Sequence, residues 1–219
     1  MSLTLYYHPL SGYCHKVLIA LYENGTAFER RVIDLSNAGE RAELEALWPI
    51  VKFPVIRHGE RPVAETTIII EYLDRHFPGA TKFIPADPDE ALDVRFWDRV
   101  FDLYVNAPMQ AIVWDRIRGS KQDLSPERAM LGKAYAMIDK RMAGREWPGG
   151  AGFSMADCAA APALFYAGIV HPFPAGLPHL AAYFDRLMAR PSVKRVLEEA
   201  KPFFPMFPFA EAIPPRFLG

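Results

Sequence analysis

The chain changes its pattern once, at a proline-rich stretch from Pro78 to Pro88, and this change constrains the fold more than any other feature. Before the stretch, short strand-like segments alternate with helical ones, and after it no segment is typical of a strand. The stretch itself contains three prolines, turn residues and no periodicity, which indicates a linker. We therefore expect two domains of different class, over residues 1–78 and 89–219, joined by a linker at 79–88.

The first domain is predicted to be of the α/β class. Apolar and aromatic runs predict strands at 3–7, 28–33, 54–57 and 62–64, and helical patterns predict helices at 16–22, 37–47 and 66–77. A strand, a helix and a second strand predict a parallel pair with a right-handed crossover, to which the later hairpin adds an antiparallel edge. The expected order is βαβαββα.

The second domain is predicted to be an all-helical bundle. A helix is expected over 89–118, from apolar residues at helical spacing, and a kink is expected at Pro108. The residues of this stripe are Leu92, Phe96, Val100, Leu103 and Tyr104. Further helices are expected at 125–145, 154–167, 179–188 and 191–200. The aromatic segment 201–219 is expected to pack into grooves on the protein surface.

Composition limits the classes of function. Lys and Arg number 25 against 26 Asp and Glu, so a dominant nucleic-acid surface is not expected. Two cysteines are too few for a disulfide scaffold, which favours a reducing, cytoplasmic location. The first residues do not have the pattern of a signal peptide, and no apolar run approaches the ~20 residues that a membrane span needs.

Three places in the first domain can carry chemistry, although each has a simpler interpretation. Ser11 lies at the predicted start of a helix. Its hydroxyl and the helix dipole favour an anion there, but in the simpler interpretation the hydroxyl only caps the helix. Phe53-Pro54 opens a strand, and base rates alone predict a trans bond there because most X-Pro bonds are trans. Glu65-Thr66 begins the third helix and is also a common helix cap.

The order and spacing of these three places resemble those of the soluble glutathione transferases. The segment Ser11-Gly12-Tyr13-Cys14-His15-Lys16-Val17 is similar to the Ser-Pro-Tyr-x-x-Lys-Val loop of that family, except that glycine replaces its proline. Phe53-Pro54-Val55 is similar to the family's cis-proline segment, and Glu65-Thr66 to its Glu-Ser pair. Ser154-Met155-Ala156-Asp157 is similar to the signature that opens its central helix. The resemblance covers nearly the whole chain.

This resemblance implies a thioredoxin-like domain that binds glutathione, followed by a helical domain. With Pro54 in the cis form, the Phe53 backbone is expected to pair with the cysteinyl backbone of glutathione, as a one-residue strand addition. Thr66, at a helix N-terminus, is expected to hold the γ-glutamyl carboxylate. Glu65 is expected to face the γ-glutamyl ammonium group, and Lys52 the glycyl carboxylate.

The catalytic group implied by the resemblance is the hydroxyl of Ser11. By donating to the sulfur of glutathione it lowers the pKa of the thiol, and it forms no covalent bond. Two alternatives stay open. Tyr7 matches the strand tyrosine of tyrosine-type family members, although it shares a strand face with Leu3 and Leu5. Ser11-x-x-Cys14 is similar to a C-x-x-C redox pair in which serine replaces the first cysteine. Cys14 is at the position of the second cysteine, which is usually buried.

A hydrophobic second substrate is expected between the domains, against four candidate residues: Tyr13, Tyr104, Met109 and Trp114. Ser154 and Asp157 are expected to form a capping box and to have a structural role. Neither a metal site nor a nucleotide-binding motif is predicted, because no ligand spacing and no phosphate loop is found.

The expected function is conjugation of glutathione to an electrophilic, hydrophobic small molecule by a homodimer. The alternatives are a glutathione-dependent reductase, peroxidase, isomerase or ether-cleaving enzyme on the same site, and a non-catalytic glutathione-binding adaptor.

Overall fold

The first part of the chain forms a small mixed sheet flanked by helices. The computed structural model of the protein describes residues 2–219. Its strands are β1 (Leu3–Tyr7), β2 (Glu29–Val32), β3 (Val55–His58) and β4 (Arg61–Ala64), and the helices here are α1 (Gly12–Glu23), α2 (Ala38–Leu47) and α3 (Thr66–His76). The sheet order is β2-β1-β3-β4, with β1 parallel to β2 and the other pairs antiparallel. The predicted βαβαββα order and the thioredoxin-like fold are confirmed.

The two faces of β1 belong to two apolar clusters. Leu3, Leu5 and Tyr7 lie in the large cluster that also contains buried residues of α1, α3 and the helical domain. Tyr6 points to the other face, where it packs with Leu44 of α2. Alternating side chains therefore account for a central strand that is buried throughout.

The rest of the chain is helical, as predicted. The helices are α4 (Pro88–Val100), α5 (Ala107–Arg118), α6 (Ser125–Met142), α7 (Met155–Val170), α8 (Pro178–Ala189) and α9 (Pro191–Ala200). Short 3₁₀ turns follow at Lys201–Met206, Ala210–Ala212 and Pro215–Phe217. Phe204, Phe207 and Ile213 are buried, so this segment packs into grooves as expected. Over residues 2–219, none of the helices combines the length and apolar character needed to cross a bilayer.

The long helix predicted over 89–118 is interrupted by a π-helical turn at Phe101–Asn106. Ala107 N–H donates to the carbonyl of Asp102, five residues earlier. Pro108 follows directly, has no N–H of its own, and its ring disfavours a normal helical turn before it. Where a kink was expected, at Pro108, the helix instead has a wide turn that ends just ahead of the proline.

The apolar stripe of the α4 region lies mostly on the outside. Leu92, Phe96, Leu103 and Tyr104 are 66%, 54%, 51% and 44% exposed, and only Val100 of the five stripe residues is buried. The inner face carries Trp97 and Phe101 together with buried polar residues. The helix prediction is correct, but the apolar pattern does not mark the face that packs inward.

Helix α7 is the centre of the molecule and packs against both α1 and α4. Its N-terminus carries the predicted capping box. The Asp157 carboxylate accepts hydrogen bonds from the Ser154 N–H at 2.9 Å and the Ser154 hydroxyl at 3.0 Å, and the Tyr183 hydroxyl donates to it at 2.7 Å. Burial raises the pKa of Asp157 to about 6, and the hydrogen bonds oppose this shift. Asp157 is fully enclosed, which fits its structural role.

Candidate active site

Three loops meet at one end of the sheet, and the strand register explains why. Val55, the first residue of β3, pairs with Tyr6 near the end of β1 and with Ala64 at the end of β4. The segments just beyond these residues therefore lie at the same edge: the β1–α1 loop, the segment before β3, and the start of α3. The three sequence motifs are brought together in this way.

The β1–α1 loop carries Ser11 as the N-cap of α1. Its side chain is half-buried, and its Oγ accepts a hydrogen bond from the Cys14 N–H at 3.4 Å. The N–H groups of the first turn of a helix lack intrahelical partners, so the dipole and these donors favour an anion beside the Ser11 hydroxyl. The β1–α1 loop contacts the segment before β3, because the ring of His8 stacks on Phe53 with ring centres 5.8 Å apart.

The segment before β3 contains a cis peptide bond between Phe53 and Pro54. Pro54 is buried, and Phe53 lies outside the strand ladder, which begins at Val55. Val51 has a φ of 55°, unusual for a β-branched residue, and its N–H donates to the Trp48 carbonyl at 2.9 Å. This tight turn leaves the side chain of Lys52 exposed.

The start of α3 is an open helix N-terminus. Its N-cap residue, Glu65, has a φ of 68° and makes no side-chain capping hydrogen bond. A non-glycine residue with positive φ is uncommon, and such strained positions cluster at binding sites. Thr66 is 7% exposed, and the side chain of Glu65 is free to face solvent. The first N–H groups of α3 therefore remain available to a ligand.

The two alternative activating residues, Tyr7 and Cys14, are both buried. Cys14 is fully buried, and burial raises the pKa of its thiol to about 12. Tyr7 is also buried, which raises the pKa of its phenol, while the charges of Arg30 and Glu199 act on it in opposite directions. Tyr7 therefore belongs to the core face of β1, together with Leu3 and Leu5.

The four residues expected to contact the second substrate differ in exposure. Tyr104 and Trp114 are 44% and 48% exposed, whereas Met109 is 3% exposed and packs in the core. Tyr13 is partly buried; burial raises the pKa of its phenol, with further effects from Asp102 and from Asn106 of the π-helical turn. Tyr13 thus faces the helical domain, while Met109 offers little surface to a ligand.

A buried charge cluster behind the site was not anticipated. Lys16 of α1 is 1% exposed, and its Nζ lies 2.6 Å from Asp98 Oδ1 and 2.8 Å from Asp102 Oδ2. Thr67 of α3 joins the cluster, because its hydroxyl donates to Asp98 at 2.7 Å and accepts from Lys16 at 3.3 Å. Arg99, which is partly exposed at the surface, forms ion pairs with both Asp98 and Asp102. The cluster ties the first domain to the helical domain directly behind Thr66.

The sequence carries a weak signal for this cluster. Lys16 stands in a nearly all-apolar helix, where an unpaired ammonium group would be costly, so it needs a buried partner. Asp98 and Asp102 are four residues apart and share one helix face. Nothing in the sequence pairs them with Lys16, because the contact spans 86 residues.

His15 is a second buried polar residue next to the site. Its Nε2 lies 2.5 Å from the Pro9 carbonyl, so this nitrogen carries the proton and donates. Its ring centre is 5.6 Å from that of Tyr166 on α7, and its Nδ1 has no hydrogen-bond partner among residues 2–219. Burial lowers the pKa of His15 from 6.5 to about 4.

Replacing His15 by phenylalanine is expected to make the free energy of unfolding less dependent on pH between about 6.5 and about 4. Below pH 6.5 the unfolded chain binds a proton at His15 that the folded protein excludes until about pH 4, so the free energy of unfolding falls across this window. The expected loss is about 3 kcal/mol, at about 1.4 kcal/mol per pH unit. Urea unfolding of both proteins between pH 4 and 7 measures it.

The comparison of the two proteins isolates His15 from other groups. The raised pKa of Asp157 has the opposite effect, because it lowers stability as the pH rises from about 4 to about 6. This effect is the same in wild type and His15→Phe, so it cancels in the difference. Parallel profiles for the two proteins would show that His15 titrates normally in the folded state.

Two family models match the chain and together cover most of it. The model described as glutathione S-transferase, N-terminal domain, matches residues 5–81, and the one described as glutathione S-transferase, C-terminal domain, matches residues 100–191. These matches agree with the thioredoxin-like part and the helical part of the fold. The chain belongs to the glutathione S-transferase family.

Individual relatives agree with this class. Protein LigF of Sphingobium sp. is 26% identical over 92% of this chain and 95% of its own length, and glutathione S-transferase U28 of Arabidopsis thaliana is 26% identical over 87% and 86%. A glutathione S-transferase of Methylobacterium radiotolerans, solved in complex with glutathione sulfonate, has a TM-score of 0.78 and 26% identity, covering 90% and 94%. The protein is a glutathione transferase.

The domain boundaries at 78 and 89 stay predictions, although α4 begins at Pro88 and α3 ends at His76. Residues 2–219 contain no group of three or more His, Cys, Asp or Glu side chains placed to hold a metal ion.

Proposed function

We propose that this protein conjugates the thiolate of glutathione to an electrophilic carbon of a hydrophobic small molecule. The observation that carries the proposal is the half-buried hydroxyl of Ser11 at the N-terminus of α1, at the sheet end shared by the Phe53–Pro54 segment and the open start of α3. A tripeptide lying across this end reaches all three loops.

Each part of glutathione then has a partner of suitable chemistry. The Phe53 backbone pairs with the cysteinyl residue, the N–H and hydroxyl of Thr66 bind the γ-glutamyl carboxylate, and Glu65 binds the γ-glutamyl ammonium group. The exposed ammonium group of Lys52 is left to bind the glycyl carboxylate. This arrangement directs the sulfur towards Ser11.

The Ser11 hydroxyl activates the thiol of glutathione by donating a hydrogen bond to its thiolate form. Every 1.4 kcal/mol of preference for the thiolate lowers the thiol pKa by about one unit from a reference of about 8.5. The proton leaves to solvent, the sulfur forms a bond to carbon, and the electrophile expels its leaving group. Ser11 stays unmodified throughout.

The second substrate is expected between the domains, beside Tyr13, Tyr104 and Trp114. A homodimer is part of this proposal, and its interface is left open. Ether cleavage is the second candidate function, favoured by the similarity to LigF, whose solved structure is titled as that of a beta-etherase. In this second candidate reaction the carbon–oxygen bond of an ether breaks as the carbon–sulfur bond to glutathione forms, and the oxygen that leaves takes up a proton.

Calorimetry and turnover measurements together test the proposal. We expect reduced glutathione to bind the purified protein and an aryl halide to be conjugated, with faster turnover of an aryl ether as the mark of the second candidate. Binding without turnover of either class of electrophile would favour an adaptor. Absence of glutathione binding at saturating concentration would overturn the proposal.

A further inference from the structure

A tight turn over residues 8–11 leads the chain from β1 into α1. The Ser11 N–H donates to the His8 carbonyl at 3.1 Å, and Pro9, whose ring fixes φ at about −65°, has the second position of the turn. Ser11 is therefore both the last residue of this turn and the N-cap of α1. The position of its hydroxyl depends on the conformation of the turn.

The central peptide group of this turn, between Pro9 and Leu10, is held at both ends by imidazole rings. His15 Nε2 donates to the Pro9 carbonyl at 2.5 Å, and the Leu10 N–H donates to His8 Nδ1 at 3.2 Å. Within residues 2–219, no other group donates to the Pro9 carbonyl. The contact with His15 is buried, so removing the ring would leave this oxygen without a partner.

The ring of His15 is held in turn by helix α7. Its centre lies 5.6 Å from that of Tyr166, and both side chains are buried. A Cβ placed on Gly12 would lie 3.5 Å from Tyr166 Cδ2, so the tyrosine also lies beside the first turn of α1. Phe207 of the C-terminal segment packs on Tyr166 with ring centres 5.2 Å apart. Packed rings therefore connect the helical domain to the turn before Ser11.

The contact with Pro9 is the one hydrogen bond that the His15 side chain makes within residues 2–219. Its Nδ1 has no partner there, and its backbone N–H makes an ordinary helical bond to the Ser11 carbonyl that any residue except proline would make. A buried polar side chain is costly unless its hydrogen bonds compensate. The imidazole is therefore explained by the turn that it holds, since packing alone would favour an apolar ring.

We propose that His15 is a positioning residue for catalysis: by donating to the Pro9 carbonyl, it fixes the turn that places the Ser11 hydroxyl against the sulfur of glutathione. This inference rests on the proposed function, because it assumes that Ser11 stabilises the thiolate. His15 touches neither substrate and exchanges no proton with them. A displacement of about 1 Å at a reacting group can lower a rate by as much as about 100-fold, so a loosened turn weakens the activation of the thiol.

The variant His15→Phe keeps a ring of similar size and removes the donor. We expect the pKa of the bound glutathione thiol to rise by about 0.5 to 1 unit, and kcat/KM at about pH 6 and saturating glutathione to fall about 3- to 10-fold. The loss is expected to shrink at high pH, where the thiol is ionised in both proteins. Glutathione affinity is expected to change less than about twofold, because the contacts proposed for Phe53, Glu65 and Thr66 remain. Ultraviolet titration, initial rates and calorimetry measure these quantities.

Two amide variants test whether the donor at the Nε2 position is what matters. In His15→Gln the amide nitrogen can reach the position of Nε2, whereas His15→Asn is one carbon shorter and brings its amide only to the position of Nδ1. We expect glutamine to restore most of the activity and the low thiol pKa, and asparagine to behave like phenylalanine. Equal thiol pKa values in the two amide variants would overturn the proposal, and this pair decides the question if His15→Phe does not fold.

A double-mutant cycle with Ser11→Ala separates positioning from a general loss of structure. If His15 acts through the Ser11 hydroxyl, adding His15→Phe to Ser11→Ala lowers kcat/KM further by less than about twofold. Losses that multiply would show that His15 acts on something else, and would overturn the proposal. Ile138→Val is the control: it truncates a buried residue of α6, and it is expected to lower the urea midpoint of unfolding while the thiol pKa stays unchanged.

The outcomes separate this inference from the proposed function. If Ser11→Ala raises the thiol pKa and His15→Phe does not, His15 has no positioning role and the proposed function stands. If Ser11→Ala also leaves the thiol pKa unchanged, or if the wild-type protein binds no glutathione, the proposed function fails and this inference fails with it.

Discussion

Replacing Ser11 by alanine is expected to lower kcat/KM for conjugation about 10- to 100-fold while leaving glutathione affinity within a few-fold. A hydrogen bond to a charged group contributes about 1.5–3 kcal/mol, and here it is made to the thiolate and lost with the hydroxyl. The contacts proposed for Phe53, Glu65 and Thr66 are unchanged, so binding persists. Ultraviolet titration of the bound thiol is expected to show its pKa raised by about one to two units.

Matched variants identify the activating residue. Ser11→Thr keeps the hydroxyl and is expected to retain most of the activity, whereas Tyr7→Phe and Cys14→Ala remove only the competing groups. The burial of Tyr7 and Cys14 predicts that both of these proteins stay active. An inactive Tyr7→Phe protein with a folded structure, beside an active Ser11→Ala protein, would assign the role to the tyrosine instead.

Replacing Lys16 by methionine is expected to reduce the free energy of unfolding by about 3–5 kcal/mol, the range for breaking a buried ion pair. Methionine fills a similar volume, but it leaves Asp98 and Asp102 buried without the ammonium group that lies 2.6 and 2.8 Å from them. Arg99 compensates only from the exposed side of the cluster. Urea unfolding at pH 7 measures the loss.

The control for Lys16 separates charge from packing. Lys82→Met changes an exposed lysine and is expected to alter stability by less than about 0.5 kcal/mol. Adding Asp102→Asn to Lys16→Met removes one of the stranded carboxylates and is expected to restore part of the loss. A loss below about 1 kcal/mol for Lys16→Met would mean that water or Arg99 already neutralises the two carboxylates.

The sequence was informative where local chemistry decides the structure. Prolines and glycines end the helices and strands, so the order of elements in the first domain could be predicted, and Asn37, placed at the start of the predicted second helix, does cap α2. The resemblance added the cis bond at Pro54, which base rates alone argue against. Ser154 and Asp157 were readable because a capping box is made within four residues.

The remainder depends on contacts between distant residues. Leu92 and Phe96 have a core-like spacing, yet they lie outside because α7 packs against the opposite face of α4. Lys16 and Asp102 are 86 residues apart, and only the packing of α1 against the helical domain joins them. The orientation of Arg99 follows from the same packing, so the charge cluster could not be found from the motifs.

The large apolar cluster runs without a break from β1 and α1 into α7 and the C-terminal segment. Apolar side chains of both domains pack together across their junction, and the ion pairs of Lys16 with Asp98 and Asp102 cross it. We therefore expect the two domains to move as one body. On the function proposed above, selection among electrophiles is then expected to come from rotations of individual exposed side chains, such as Tyr104 and Trp114, rather than from closure of one half upon the other.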